Sequence, residues 1–344
     1  MILVNSAGNQ FAYNWLEHSA WNGCTLADLV FPFFIVIVGI SSVLALTNLR
    51  IKGFSNRQLF KEITKRSAYI FCMGLLLNIL PNYFDFSHIR ILGVLQRIAI
   101  CYFFSSILFL TTKIRVQIII IAVLLIGYWF LLSEFSAISS LSINHNLVGY
   151  LDQLILLPQH LYSPTFDPEG LLSTLPAIGS VLFGNVLGVV LVSSRTKQQQ
   201  LRWIITAGLI LSVLGLIWSG TFPINKSLWS SSYVLWTSGL SFLTFAICFA
   251  LIEIKCFVSW SKPFSLLGKN AMLVYMLHVI FLKIQAIILV HNTDSELVNL
   301  RLYLTDLLFS PFSLKNASLC YAIGYTLLWL LVLKGITKWR LRQL

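Results

Sequence analysis

Charge is what this sequence lacks. Only 10% of its 344 residues are Asp, Glu, Lys or Arg, where a solvated surface on a chain of this length carries about 25%, and 57% are hydrophobic. A water-soluble domain is excluded, and the solvent that fits is lipid. Acids are the scarcer sign, with 12 against 24 basic residues and a net charge of +12. In a soluble protein that excess would suggest nucleic acid. Here the basic residues are concentrated between apolar runs, and no nucleic-acid partner is expected. No Pro/Ser/Gly-rich linker, low-complexity tract, clear repeat or hydrophilic second domain interrupts the chain, so residues 1–344 read as a single transmembrane domain. Cys24, Cys72, Cys101, Cys248, Cys256 and Cys320 have no CxxC spacing. Neither a zinc site nor a disulfide framework is suggested, no metal is expected, and the cysteines read as small packing residues. No Gly-rich phosphate loop, H-E-x-x-H or G-x-S-x-G occurs.

What is present is a series of apolar runs near the 20 residues that cross about 30 Å of hydrocarbon. They fall roughly at 27–48, 63–80, 91–111, 117–133, 171–193, 203–220, 231–252, 268–290 and 317–336. Lipid offers no partner for a bare backbone, so each run is expected to be a helix. The fold class is an all-α, polytopic transmembrane bundle of about ten spans. The tenth is the opening Met1-Ile2-Leu3-Val4, which reads as a span without its first half, because seven helical residues cover only about 10 Å. It has no basic n-region and no credible cleavage site, and so does not read as a signal peptide.

The connections sort by charge. Alternate loops hold Arg50, Lys52, Arg57, Lys61, Lys65 and Arg66, then Lys113 and Arg115, then Arg195, Lys197 and Arg202, then Lys255 and Lys262, and the tail adds Lys334, Lys338, Arg340 and Arg342. The intervening connections hold only Arg90, Lys226, Arg301 and Lys315. The basic side, with the C-terminus, is expected to be cytoplasmic. Acids show the opposite bias: Glu17, Asp85, Glu134, Asp152, Asp167, Glu169, Asp294, Glu296 and Asp306 fall in segments expected to face a periplasm or lumen. The stretch 291–316 is apolar and aromatic enough from Leu297 to Phe312 to lie in the interface or re-enter the bundle.

Polar residues placed where lipid makes them expensive carry the chemistry. The run Glu17-His18-Ser19-Ala20-Trp21-Asn22-Gly23-Cys24-Thr25-Leu26-Ala27-Asp28 leads straight into a span. Asp28 sits at its first turn, where Thr25 is a candidate cap and a carboxylate meets the positive end of the helix dipole. His18, as an imidazole, suits a general base or a nucleophile as well as an ordinary interfacial hydrogen bond. Gln96-Arg97 interrupts a span, which fits either a structural salt bridge or a hydrated cavity. Asp167-Pro168-Glu169-Gly170 puts two carboxylates at a helix start, consistent with capping. Asn225 and Lys226 join an amide to an isolated outer-side cation beside Trp229, suited to a sugar, a carboxylate or plain anchoring. Lys269 and Asn270 open another span from the basic side, where a phosphate would be welcome, with His278 two turns on.

The strings LVNSAG, HSAWNGCTLADLVFPFFIVIVG, RILGVLQRIAICYF, FDPEGLLSTLPAI, PINKSLWSSSYVLWTSG and LGKNAMLVYMLH together resemble the heparan-alpha-glucosaminide N-acetyltransferase family and its bacterial membrane homologues, over essentially the whole chain. The resemblance implies a polytopic acetyltransferase that takes acetyl-CoA from the cytosolic face and acetylates an amino sugar across a membrane, here a bacterial inner membrane. By that resemblance His18 is the catalytic histidine of H-x-x-W-N-G. Asn5 matches the asparagine of the preceding helix end, Trp21 and Asn22 lie in the motif itself, and Asp28 is the aspartate of D-L-V-F-P. Family members usually begin with an L-D-x-x-R-G-like stretch that this sequence does not contain.

The chemistry implied is attack of a neutral amine on a thioester. His18 serves as base or as acetyl carrier, Asp28 orients the imidazole, and Asn5 or Asn22 donates to the oxyanion. Arg97, Lys269 and Asn270 are the candidates for acetyl-CoA; Trp21, Asn22, Asn225 and Lys226 are those for the amino-sugar or glycan acceptor. An O-acetyltransferase of an envelope polysaccharide, or a secondary transporter or flippase, remains the alternative. Oligomeric state is open, a homodimer included.

Overall fold

The computed structural model describes residues 1–80, 86–134, 141–143, 145–292 and 296–342, with side chains described to residue 338. Asp85, Asp294 and the side chains of Arg340 and Arg342, which figure in the charge pattern, lie outside that description. The helices in chain order are α1 (Ile2–Asn5), α2 (Leu26–Ile51), α3 (Asn56–Ile79), α4 (Val94–Thr111), α5 (Ile114–Glu134), α6 (Leu147–Leu156), α7 (Thr174–Val192), α8 (Lys197–Trp218), α9 (Ser231–Phe249), α10 (Lys262–Lys269), α11 (Ala271–Ile287), α12 (Leu300–Phe309) and α13 (Leu314–Arg342). One short hairpin pairs β1 (Leu289–His291) with β2 (Leu297–Asn299), Val290 opposite Val298.

Local sequence sets the helix starts. Ser55 with Gln58, and Thr196 with Gln199, form reciprocal capping boxes at α3 and α8. Asn146, Ser230 and Asn299 accept from the third helical amide of α6, α9 and α12.

Among the described residues, seven helices are long and apolar enough to cross a bilayer, or eight if α10 and α11 count as one broken span. Nine complete spans were expected, and the differences lie at two of them. Helix α3 forms over the expected 63–80 run, but its first half carries Arg57, Lys61, Glu62, Lys65 and Arg66. The charge-free part, 67–79, is only about 20 Å long against about 30 Å of hydrocarbon. The 268–290 run is bent by 72° at the break between Lys269 and Ala271. The stretch 291–316 holds the hairpin, α12 and the start of α13, and α1 is a single turn.

The described residues form two compact units. The larger, Ser19–Cys24 with Asp28–Lys255, contains most of α2 and all of α3 to α9. Its core joins Val36 and Ile40 of α2 to Leu187 of α7, Ile204 of α8 and Phe242 of α9. Helices α2 and α7 touch backbone to backbone: a Cβ on Gly39 would lie 2.1 Å from the Val181 carbonyl, and one on Gly184 2.1 Å from that of Val36. Small residues allow this approach, which substitutes for a hydrophobic drive that lipid does not supply. At one end of this unit Arg50 donates to the Leu110 carbonyl and Lys197 pairs with Glu253, bringing the basic connections together.

The smaller unit, Met1–His18 and Thr25–Ala27 with Cys256–Leu344, is built on α13. Val274 of α11 packs with Tyr321, Tyr325, Trp329 and Leu333. Gly8 fits against Thr305 and Tyr321, its amide donating to Ser318 Oγ and its carbonyl accepting from Thr305 Oγ1.

Candidate active site

The D-L-V-F-P string explains itself at atomic level. In an unbroken helix the amide of residue 32 would donate to the carbonyl of residue 28, but Pro32 has no N–H. The Asp28 carbonyl instead accepts from the Tyr233 hydroxyl of α9 at 2.6 Å. Tyr233 is fully buried, and its ring packs edge-on against Trp229 at 5.3 Å. The missing backbone bond at the head of α2 thus becomes a tie to α9.

The Asp28 side chain is fully buried, which a carboxylate tolerates only with partners. Its Oδ2 accepts from the Ser19 amide at 3.0 Å, and its Oδ1 lies 3.3 Å from Lys226 Nζ. The isolated outer-side cation expected from the sequence is therefore paired with the first-turn aspartate. The turn between Ser19 and Asp28 uses Gly23 at φ +114°, a conformation that suits glycine, with Ser19 Oγ donating to its carbonyl. Burial, and then the negative Asp28, push the Cys24 thiol up to about 12, with Lys226 and a Trp236 hydrogen bond opposing. Cys24 stays a thiol at neutral pH and is a poor acyl carrier.

A two-residue bridge closes this corner. Asn22 pairs with Asn225 in antiparallel fashion, Asn225 Nδ2 donates to Asn22 Oδ1 at 3.1 Å, and the Gly23 amide donates to Ile224 O. Asn225 is buried and Asn22 exposed. Asn225 Oδ1 accepts from the Leu228 amide, and the 225–230 loop closes through Ser230. The loop's cost shows at Trp229, which sits at φ +51°, a strained region for a bulky residue. Packing holds it there: the ring is fully buried, edge-on to Phe31, and its Nε1 donates to Ser180 Oγ.

Over the Trp229 ring, at 5.0 Å from its centroid, stands the guanidinium of Arg97. Arg97 is 1% exposed and, among the described residues, has no acidic partner, which removes the salt-bridge reading of Gln96-Arg97. Its Nη2 donates to the Gly170 carbonyl and to Ser173 Oγ, while Nε and Nη1 have no hydrogen-bond partner. A buried cation with two idle donors is a costly object and marks a place for an acceptor.

The Asp167 and Glu169 carboxylates do not simply cap α7. Both are held by Arg90, through Nε to Asp167 Oδ2 at 2.8 Å and through Nη2 to Asp167 Oδ1 and Glu169 Oε2 at 2.5 Å. Although burial opposes it, these two carboxylates push the Arg90 guanidinium further up. The residue that meets the start of α7 is Asp152, whose Oδ1 accepts from the Leu171 amide at 2.8 Å. Asp152 has no exposed surface, and its Oδ2 has no partner. Burial raises its carboxyl to about 7, with Leu171 opposing and Asp167 reinforcing. Sequence reasoning placed Asp152 in the outer loop without a role, because nothing local signals its contact with a segment nearly twenty residues on.

The other sequence-derived candidates are placed as follows. Trp21 is half-buried, and its indole donates to the Leu141 carbonyl at 2.7 Å. His18 is exposed and directly precedes Ser19, whose amide binds Asp28. Thr25 Oγ1 donates to Glu17 O at 2.7 Å. Asn5, also exposed, ends α1 in the smaller unit, which contains His18 as well. Lys269 is exposed at the end of α10, and Asn270 sits at the 72° break, its Nδ2 donating to Leu266 O. His278 is buried with Nδ1 bonded to Val274 O and Nε2 without a partner.

Comparison with known proteins adds an independent line. A family profile described as heparan-alpha-glucosaminide N-acetyltransferase, catalytic, matches residues 9–222, a stretch holding His18, Asp28 and Arg97. Heparan-alpha-glucosaminide N-acetyltransferase of Homo sapiens is 30% identical over 343 residues, covering 82% of this chain and 51% of that one. The Mus musculus protein of the same name is 30% identical over 340 residues, covering 81% and 51%. The chain spans about half the length of the curated relatives it matches.

Proposed function

The chain belongs to the heparan-alpha-glucosaminide N-acetyltransferase family, and from that membership we propose that it is a membrane acetyltransferase moving an acetyl group from acetyl-CoA to the amine of a glucosamine-type sugar. The observation that carries this reading is Asp28, fully buried at a helix start, paired with Lys226 and bound to the amide next to His18. In this reading residues 1–344 act as one acyltransferase domain of a bacterial inner membrane. The basic end and the C-terminus face the cytosol, and the Asp28 end faces the periplasm.

The neutral amine nitrogen attacks the thioester carbonyl; a C–N bond forms and the C–S bond breaks. His18 takes the amine proton and returns it to the departing thiolate, so that CoA leaves as the thiol. If His18 instead attacks the thioester first, expelling CoA, it carries the acetyl group as an acyl-imidazole whose C–N bond the amine then breaks, and rapid quenching with peptide mapping distinguishes the two routes. Asn5 is assigned to the oxyanion. Asp28 acts through the Ser19 amide, fixing the chain from which His18 projects. Arg97, with its idle nitrogens, and Lys269 and Asn270 are assigned to acetyl-CoA; Trp21, Asn22, Asn225 and Lys226 are assigned to the sugar.

The test is acetyl transfer in proteoliposomes from labelled acetyl-CoA to glucosamine, with His18→Ala alongside. Loss of transfer with CoA binding retained supports the reading. Full transfer by the variant removes His18 from the chemistry, and thioester that is never consumed favours transport instead. Lability of the product to mild alkali would mark an O-acetyl ester rather than an amide.

A further inference from the structure

Helices α5 and α8 are among the least buried spans, with 28% and 22% of their apolar stretches inside the protein. Between them runs a cleft of about 510 Å³. One wall includes Ile118 and Ala122 of α5, the other Trp203, Ala207 and Trp218 of α8, and Phe242 of α9 lies in the floor. Apart from the Thr206 hydroxyl and the two indoles, every lining side chain is purely apolar. Water has no place there, and hydrocarbon does.

Two features distinguish this cleft from an ordinary seam filled by bulk lipid. The first is length: Trp203 and Trp218 are fifteen residues apart on one helix, about 22 Å. A single leaflet contributes about 15 Å of hydrocarbon, so the cleft continues past the midplane and suits one long chain better than the end of a phospholipid tail. The second is where it ends. Trp218 meets Trp129 edge-on at 5.9 Å and packs in the cluster of Tyr128, Phe222 and Leu228. Tyr128 donates its hydroxyl to Leu228 O, and the Leu228 amide donates to Asn225 Oδ1. One end of the apolar cleft therefore abuts the loop that carries Asn225 and Lys226, all within the larger unit.

We propose that the acceptor is a glycolipid, with its long hydrocarbon chain lying in the α5–α8 cleft and its amino sugar at the Asn225 and Lys226 loop. The proposal rests on the acetyltransferase reading for the sugar and on the cleft alone for the chain. A membrane-held acceptor needs only to move laterally to reach the site.

The two parts are tested separately. Methyl, octyl and hexadecyl glucosaminides are compared as acceptors, in the wild type and in Ala122→Trp and Ala207→Trp, which fill the cleft from opposite walls away from the polar site. We expect kcat/KM to rise at least tenfold from methyl to hexadecyl in the wild type. In both filled variants that gain should shrink at least fivefold, with the methyl acceptor unaffected. A gain that survives filling reflects micelle partition and overturns the proposal, as does no gain at all. Independently of turnover, a hexadecyl glucosaminide carrying a diazirine at the chain end is photolysed on the purified protein. Adducts on α5 or α8 that hexadecyl glucosaminide competes away, and hexadecanol and phosphatidylglycerol do not, support it. Adducts elsewhere, or equal competition by phosphatidylglycerol, mark a bulk-lipid seam and overturn it. Specific adducts without any acetyl transfer would leave the glycolipid site standing and remove the acetyltransferase reading.

Discussion

Pro32, Tyr233 and Asp28 make a three-residue argument that can be tested by subtraction and restoration. Tyr233→Phe removes the donor to the Asp28 carbonyl, a bond worth about 1 kcal/mol with a further penalty for the stranded acceptor. Transfer is expected to fall about tenfold with folding retained. Pro32→Ala returns the backbone N–H that a regular helix supplies, so Tyr233→Phe with Pro32→Ala should recover most of the activity. Equal loss in the single and double variants would show that the tyrosine acts elsewhere. The proline was visible in the sequence, and so was its missing donor. The replacement was not, because Tyr233 lies on another helix 205 residues away.

The Asp28 and Lys226 pair is expected to follow the rule for buried charges: breaking it is worse than removing it. Lys226→Ala strands the carboxylate and should destabilise by about 3 kcal/mol, read as a lower Tm in detergent. Lys226→Met combined with Asp28→Asn should regain most of that stability while transfer stays low. The string around each residue could be read beforehand, and so could the charge of the loops. Their pairing was not, since charge alternation fixes which side of a membrane a residue faces and not which neighbour it meets.

At the scale of elements, the start of α7 carries a pH dependence. The Asp152 carboxyl is raised from its ordinary value to about 7 by burial, so the folded state holds a proton that the unfolded chain has released above about pH 4. Stability from this group is therefore full below about pH 4 and is lost as pH rises to about 7, levelling off beyond. Asp152→Asn keeps the acceptor for Leu171 and carries no charge. Its Tm should exceed that of the wild type by several degrees at pH 8, with the gap closing towards pH 4. A constant gap across that range would mean that Asp152 does not titrate there. Helix α3 gives the complementary lesson about legibility. Its apolar half reads as a span, and the capping box at Ser55 and Gln58 starts the helix as sequence rules expect. Five charged residues in its first half interrupt the apolar run, yet the 24-residue helix is about 36 Å long and Asn78 at its end donates to Arg90 O and Leu92 O ahead of α4. Helix existence follows from lipid's demand on the backbone, but the length of the apolar stretch within a helix depends on where the charge falls.

In the larger unit, α2 and α7 approach as closely as glycine allows. A Cβ at Gly184 meets the Val36 carbonyl, so Gly184→Val must push α2 and α7 apart. Since α2 carries Asp28, this variant should lose both thermal stability and transfer, with a Tm several degrees lower; unaltered behaviour would mean that the crossing is looser than described. Orientation is also open to direct measurement. Single cysteines at Lys61 and Ala20, in a background without the six native ones, should be labelled by an impermeant maleimide from opposite sides of sealed membrane vesicles, Lys61→Cys from the side that the charge pattern makes cytosolic. Labelling from the same side would break the topology deduced from charge.

The bridge between Asn22 and Asn225 has a consequence in time. It joins segments 203 residues apart, and at about 5–20 residues per second a ribosome needs about 10–40 s to make the second after the first. Throughout that interval Asp28 is already in the membrane at the head of α2, while Lys226 has yet to be synthesised. The carboxylate must wait either hydrated at the interface or carrying a proton, and α2 can take its final depth only when α8 and α9 arrive. Assembly of this corner is thus a late step of biogenesis, and variants that delay insertion of α8 should expose the 19–28 segment to proteases on nascent chains even where the finished protein is resistant.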